Sequence, residues 1–336
     1  MQVKLRDTNL HWSHVKLTVD CVLNHDLAHL PSNSGLSLLL AKGKVNSVAM
    51  PLEALICQQY GLSANADYPI AAISAAADGL DVGHAFWLRS DPVHFEMQRD
   101  CFSLSKPAPL VLKAEQARLM LTSLNEHFSQ DGLAFYLGES GAWYLRTEMP
   151  QQIQTALPSV AMDKNVHHFM PQGQDSAKWK AILNEVQMLL HDHPVNQARE
   201  ASGEVAVNSI WLSGGGAMPS FESVSHDADF IIANEVFKQG LAQWVGIRGQ
   251  RVPTNVDEVL QLNGQNMHLT LPHASNLDGI WFTALLAAVK GKKIQQLRLN
   301  LACYDKTLTV EIKPLNFYKF WRKSYAMMHY LNEPSI

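Results

Sequence analysis

The chain has 336 residues, 47% apolar and 17% charged, an ordinary globular composition that excludes an intrinsically disordered chain. A formal net charge of -4 gives no reason to expect nucleic acid as a partner. Cys21, Cys57, Cys101 and Cys303 are widely spaced without a C-x-x-C pair, which speaks against a disulfide scaffold or a zinc knuckle and for reduced thiols in a cytoplasmic protein.

The opening MQVKLRDTNLHW is charged and lacks the apolar run of a secretory signal. VKLTVDCVL reads as the first strand, SGLSLLLAKGK as a short helix closed by Gly43, and MPLEALICQQYG as a helix with Pro51 in its first turn. A small-residue helix, YPIAAISAAADG, follows. From Gly83 the texture changes: HAFWLRSDPVHFEM reads as a strand interrupted at Pro92, with DCFSLS as its partner. KAEQARLMLTSLNEHF is a helix with Leu119, Leu121, Leu124 and Phe128 on its apolar side. LAFYLGESGAWYLRTE is a hairpin around Glu139-Ser140-Gly141, so residues 83–150 form a β-β-α-β-β unit.

SAKWKAILNEVQMLLHDH is the clearest helix, with Trp179, Ile182, Leu183, Val186, Leu189 and Leu190 at helical spacing and Asp175 or Ser176 able to cap it. Three strand-and-helix pairs follow, beginning at VNSIWLSGGG, DADFII and MHLTLP, and IQQLRLNLACYDKTLTVEI adds further strands. Strands alternating with helices predict an α/β protein with a doubly wound, mostly parallel sheet. The longest apolar run near the end, Gly279 to Val289, is shorter than the roughly 20 residues of a membrane span, so no transmembrane segment is expected.

The residues that could carry chemistry concentrate in two places. In HPVNQAREASGEVAVNSIWLSGGG, the glycines Gly214, Gly215 and Gly216 end a strand and could offer backbone N–H groups to an anion, although the spacing is neither G-x-G-x-x-G nor a Walker sequence. Around them, His193, Asn196, Arg199 and Asn208 form a polar set in which Arg199 suits a phosphate or carboxylate. The same set has a structural reading: the asparagines tie down buried backbone, and Arg199 pairs with Glu200 or Glu204. In WLRSDPVHFEMQRD, Arg89, His94 and Arg99 are further anion candidates, alternating with acids that could equally pair with them. Histidine pairs at His11/His14, His25/His29, His167/His168 and His191/His193 lack an evident third ligand, so no metal is expected there.

The C-terminal part carries the one charge anomaly: from Lys290 to Tyr325, nine Lys and Arg face only Asp305 and Glu311. Residues 313–330 interleave this charge with Phe317, Tyr318, Phe320, Trp321, Tyr325 and Tyr330, a possible surface for a protein partner or an anionic membrane interface, or a helix docked on the core.

The order of motifs resembles archaeal-type, cofactor-independent phosphoglycerate mutases of the alkaline-phosphatase-like superfamily. His193-Pro194-Val195-Asn196, Arg199, Gly203, Ala206-Val207-Asn208 and the glycines match one stretch, PLEALICQQYGL and GHAFWLRSDPVHFEMQRD two others, and DADFIIANEVFKQGLAQWVGI a fourth. A bacterial branch, the RpfE-type regulatory proteins, is the more specific resemblance. It implies an alkaline-phosphatase-like α/β core from residues 1–80 and 175–336, with an inserted α+β domain at 81–170.

Active mutases hold two divalent metals, which clamp the attacking and leaving oxygens of the phosphoryl group. Their Asp-Gly near the first strand and their late Asp-His-Gly are missing here, and their phosphate motif is reduced to at most Arg99. The resemblance therefore implies a non-catalytic, regulatory or ligand-binding protein without a cofactor, binding a small phosphorylated or carboxylate ligand. The alternative is an active mutase or phosphohydrolase with Mn or Zn in a site rebuilt from His273, Asp278 and the N-terminal histidines.

Overall fold

The computed structural model describes residues 15–99, 101–105, 107–162, 164–220, 226–262, 264–272, 276–303 and 305–332. Its first elements are β1 (Lys16–Val22), α1 (His25–Ala28), α2 (Gly35–Leu40), β2 (Val45–Val48), α3 (Leu52–Gln59), α4 (Ile70–Ala77), β3 (Phe86–Val93), β4 (Phe95–Met97) and β5 (Phe102–Leu104). Next come α5 (Ala114–His127), β6 (Leu133–Leu137), β7 (Trp143–Thr147), α6 (Pro158–Ala161), α7 (Ser176–His191), α8 (Pro194–Ala201) and β8 (Ser209–Ala217). The remainder is β9 (Phe230–Ile232), α9 (Val236–Val245), β10 (Arg248–Gln250), α10 (Val256–Leu260), β11 (Asn266–Thr270), α11 (Thr283–Lys290), β12 (Gln296–Cys303), β13 (Lys306–Ile312) and α12 (Met327–Asn332). Among the described residues no helix is long and apolar enough to cross a membrane.

The chain divides into two units. The first comprises Met1–Leu52, Asp227–Asn234 and Ile247–Ile336; the second comprises Glu53–His226 and Glu235–Gly246.

The first unit is built on a seven-stranded sheet in the order β10-β9-β11-β1-β12-β13-β2. The five strands from β10 to β12 are parallel, and β13 and β2 join antiparallel. Period-two alternation decides its faces. Leu17 and Val19 of β1 lie in register with Met267 and Leu269 of β11 and with Leu297 and Leu299 of β12. These residues share one apolar core with Leu36, Leu39 and Leu40 of α2, Val256 and Val259 of α10, and Trp281, Phe282 and Leu285 ahead of and within α11. The alternate positions Thr18, Asp20, His268 and Asn300 occupy the other face of the sheet.

Helix α2 crosses α11 closely, and that crossing needs a glycine: a Cβ on Gly35 would lie 2.6 Å from the Thr283 nitrogen. The helix start is doubly capped. Ser34 Oγ accepts from the Ser37 N–H (3.2 Å), and the Asp278 carboxylate accepts from the N–H groups of Gly35 (2.9 Å) and Leu36 (2.7 Å).

The second unit holds an antiparallel sheet, β6-β7-β3-β8, and a separate hairpin of β4 and β5. One sheet face, with Leu88, Leu145 and Leu212, packs under α5 and α7 through Met120, Leu124, Trp179, Leu183 and Val186. The opposite face presents Trp87 and Tyr144 to Ala71, Ala72 and Ala75 of α4, whose small side chains let the helix lie close. The predicted helix 113–128 and hairpin 133–148 are present as α5 and β6–β7.

An α/β protein with a large, mostly parallel sheet and an accompanying antiparallel unit is thus what the chain forms, but the division differs from the predicted one. The compact units change over near residues 52, 226, 234 and 246, whereas the sequence reading placed an inserted domain at 81–170 between core segments 1–80 and 175–336. Strand β8 is the reason. It pairs antiparallel with β3, from Phe86 opposite Ala217 to Val93 opposite Ser209, and so belongs to the second unit's sheet and not to the parallel one. A continuous apolar strand covered on both faces reads alike in either setting. Strand β3 also runs through Pro92 without a break. Beyond Arg89 it has lost β7 as a neighbour, so the missing N–H of proline leaves no gap in that ladder. Leu119, expected on the buried side of α5, is 53% exposed, and Ala117 and Met120 take its place.

Candidate functional site

The polar motif of the second unit is built from the connection between α8 and β8. Pro194 occupies the first turn of α8, where its missing N–H costs nothing, and His193 caps the helix. His193 Nδ1 accepts from the Val195 N–H (3.2 Å), which leaves the Nε2–H facing Ser123 Oγ at 3.1 Å. Burial pulls the His193 pKa below the usual histidine value.

The candidates around it each take hold of one residue of the connecting segment. Arg199 Nε donates to the Val205 carbonyl (2.9 Å), and His94 Nδ1 to the Ala206 carbonyl (2.8 Å). Asn196 clasps Val207, donating to its carbonyl (2.8 Å) and accepting from its N–H (2.8 Å), and donates as well to the Leu190 carbonyl (2.6 Å). Asn208 accepts from the Phe95 N–H (2.7 Å) and donates to the Phe95 carbonyl (3.0 Å), extending the pairing of β4. Arg199 Nη1 donates to Gln116 (3.0 Å) and pairs with Glu204 (2.9 Å). Four side chains therefore splint residues 205 to 208. Val207 is buried while Val205 is exposed, and where such a segment turns inward ahead of the β8 ladder its backbone groups need such bonds.

The glycine stretch lies inside β8, not in a turn after it. Two residues, Gly214 and Gly215, stand opposite Leu88 alone, which makes a bulge, and Gly214 has φ +65. A Cβ on Gly216 would lie 2.7 Å from Pro69 Cβ, so these residues are small because the start of α4 rests on them. Their amides are engaged. The Gly214 N–H donates to Thr155 Oγ1 (3.1 Å), and the Gly215 N–H points to Asp67 Oδ2 (3.4 Å). Asp67 also accepts from the Thr155 N–H at 3.0 Å and from its hydroxyl. Burial raises the Asp67 pKa, against the opposing effect of the Thr155 and Gly215 hydrogen bonds. An anion at these amides would meet a carboxylate already there.

Arg89 is likewise committed. Its guanidinium pairs with Asp91 and lies 5.2 Å from the centre of the Tyr144 ring. The Tyr144 hydroxyl donates to Asp78 (3.0 Å), which also accepts from the N–H and hydroxyl of Ser140, each at 2.7 Å. Burial pushes the Tyr144 phenol upward; the nearby Arg89 opposes this and Asp78 reinforces it. Arg99 is exposed at the β4–β5 turn. The structure thus brings His94, Asn196, Arg199 and Asn208 together on one backbone segment, with His193 adjoining, and holds Arg89 and Arg99 apart from them.

A cavity of about 810 Å³ opens beside the glycine strand, within the range of small-molecule sites. Asn65, Asp67, His84, Gln151, Gln152 and Gln154 are among the residues lining it, and no Lys or Arg is found among the described lining residues. Its chemistry is that of hydrogen bonds to neutral groups, with one partly buried carboxylate.

In the first unit, Asp20 is wholly buried near the carboxyl end of β1. Its Oδ2 lies 2.6 Å from His268 Nε2, and its Oδ1 accepts from Asn300 Nδ2 (2.8 Å). Sequence reasoning passed over all three. The available signal was an acid in an otherwise apolar strand, VKLTVDCVL, at a position alternating with Leu17 and Val19. The rebuilt site expected around Asp278 finds that carboxylate occupied as the α2 cap, while His11, His14 and His273 lie outside the described residues.

A pair of metals needs several carboxylates and imidazoles converging with their lone pairs inward. Among the described residues, Asp20 and His268 converge but bond to one another, and Asn300 turns its NH2 rather than its oxygen toward them. Among the described residues no three His, Cys, Asp or Glu side chains converge, so these donors alone fall short of a two-metal set.

No family model matches the chain. Parts of it are similar to 2,3-bisphosphoglycerate-independent phosphoglycerate mutases. It is 26% identical to the one from Methanosarcina barkeri over 112 residues, 33% of this chain and 28% of that one. For Methanosarcina acetivorans the figures are 21% over 147 residues, 42% and 37%, and for the probable mutase of Geobacter sulfurreducens 22% over 153 residues, 45% and 38%. The chain thus aligns with well under half the length of these curated relatives. Among solved structures, it aligns with a cofactor-independent phosphoglycerate mutase from Thermoplasma acidophilum at TM-score 0.43 and 14% identity over 93% of each chain. It aligns with the PH0037 protein from Pyrococcus horikoshii at TM-score 0.47 and 12% identity, over 95% of this chain and 92% of that one. The resemblance to phosphoglycerate mutases is therefore present at low identity over part of the chain.

Proposed function

We propose that this chain is a non-catalytic, phosphoglycerate-mutase-like protein that works by binding, in the regulatory sense implied by its resemblance to RpfE-type proteins. The observation that carries the reading is the engagement of its carboxylates: Asp278 caps α2, and Asp20 is held by His268 and Asn300. No phosphoryl-transfer step is assigned to these groups.

The ligand site in this reading is the 810 Å³ cavity of the second unit. Its carboxamides and the Asp67 carboxylate suit a small polar ligand, neutral or cationic, in preference to the phosphorylated or carboxylate one expected from the sequence. The test is calorimetric titration of metal-free protein with Mn²⁺ and Zn²⁺, alongside a phosphoglycerate mutase assay with each metal. Weak, non-stoichiometric heats and no turnover are expected.

A second reading, an active metal-dependent mutase or phosphohydrolase, has one observation in its favour. Asn300 Oδ1 is buried beside Asp20 and His268 without a hydrogen-bond partner, an unused acceptor at the carboxyl end of a parallel sheet. Two tight stoichiometric sites with turnover would establish that reading and overturn the first.

A further inference from the structure

The chain between β13 and α12 carries large apolar side chains that the first unit leaves in solvent. Leu315 is 73% exposed, Tyr318 69%, Phe320 86% and Trp321 65%. Phe320 and Trp321 meet edge to face with ring centres 5.3 Å apart, forming a two-ring projection. No Asp or Glu occurs from residue 312 to 332, whereas Lys313, Lys319, Arg322 and Lys323 do. Glu311, just before the segment, is paired with Lys313 (2.8 Å).

This is not a loose tail. Arg322 Nη1 donates to the Gly43 carbonyl (2.5 Å), Lys42 Nζ to the Lys319 carbonyl (3.3 Å) and Ser324 Oγ to the Ser32 carbonyl (2.6 Å). The bonds to residues 32 to 43 hold the projection in place. A recess of about 380 Å³ lies beside it, lined by Leu40, Gly43, Trp321, Arg322, Lys323 and Tyr330.

We propose that this surface docks on an anionic lipid bilayer, with Phe320 and Trp321 entering the interface and Lys319, Arg322 and Lys323 meeting headgroup phosphates. The occupant must be both apolar and negatively charged. A second copy of the same surface would set like charges against each other. An acidic protein would need a preformed pocket for a phenyl ring standing 86% free, whereas a fluid interface accepts it without one. Trp, Tyr and basic residues together are the side chains that settle at the headgroup level.

The full chain would be sedimented with vesicles of phosphatidylcholine and phosphatidylserine, and with phosphatidylcholine alone, at low and high salt. Binding is expected only to the anionic vesicles, weakening with salt. The variant K319Q/K323Q should lower partitioning roughly 25-fold, at roughly fivefold per lost cation. The variant F320S/W321S should abolish it, with unchanged melting temperatures for both. Absence of binding to anionic vesicles at low salt, or binding undiminished in both variants, refutes the proposal. So does a wild-type oligomer, measured by light scattering, that F320S/W321S converts to monomer, or binding to poly-glutamate in place of vesicles.

Discussion

If the α8–β8 motif is a splint, removing its centre must unfold the second unit sooner, and Asn196 is that centre. Its side chain is 98% buried and makes three hydrogen bonds, at 2.6, 2.8 and 2.8 Å, to Leu190 and Val207. Asn196→Ala leaves the Val207 carbonyl and N–H without partners, while the Leu190 carbonyl keeps the His193 N–H (3.3 Å). At about 1–3 kcal/mol for each unsatisfied group, tempered by relaxation, the loss is about 2–4 kcal/mol. For a unit of this size that is a fall in melting temperature of roughly 4–16 °C.

Asn196→Asp sharpens the test. The carboxylate can still accept from the Val207 N–H, but it confronts two carbonyl oxygens, so its folded pKa is raised above the ordinary value. Stability of such a group is present below the unfolded pKa and lost as pH rises through the folded one. The aspartate variant's deficit against wild type should therefore grow between about pH 4.5 and pH 7.5. Melting followed by circular dichroism across that range measures both effects. An alanine variant within about 2 °C of wild type would refute the splint and return these residues to ligand recognition.

Two further substitutions probe neighbouring points. His193→Asn keeps a capping acceptor for α8 and removes the imidazole, whose pKa is lowered by burial. Because the unfolded chain binds that proton more readily, wild type should lose stability as pH falls below the ordinary histidine value, and the variant's melting temperature should fall less over the same interval. Asp278→Ala removes the acceptor of two helix N–H groups and should cost about 1–2 kcal/mol in denaturant titration, with a smaller loss for Asp278→Asn. Metal titration should be unchanged in both, and a lost metal site would make Asp278 a ligand instead.

Much of the architecture could be read from local pattern, since α7, α5 and the β6–β7 hairpin depend on spacings within one element. Trp179, Ile182, Leu183, Val186 and Leu190 are all buried, as their periodicity requires. The partner of β8 was not readable, because SIWLS carries no mark of strand direction. Nor was the pair Asp67–Thr155, 88 residues apart in sequence, whose meeting is made by tertiary packing. The polar motif was legible as a cluster but not in its use. Arg199, Asn196 and Asn208 have the same hydrogen-bonding capacity toward a ligand as toward backbone, and only the path of residues 205 to 208 decides between them.

The placement of β1 bears on how the molecule is made. Both neighbours of this strand come from far along the chain: β11 begins at Asn266 and β12 at Gln296. The intervening stretch to His226 belongs almost entirely to the second unit, which can collapse while the ribosome is still working. At ordinary translation rates β1 then waits roughly 15–55 s with two apolar, unpaired edges before its partners emerge. Strand β2 has a comparable wait for β13, so expression yield should respond to slowed translation and to chaperone supply through these two strands.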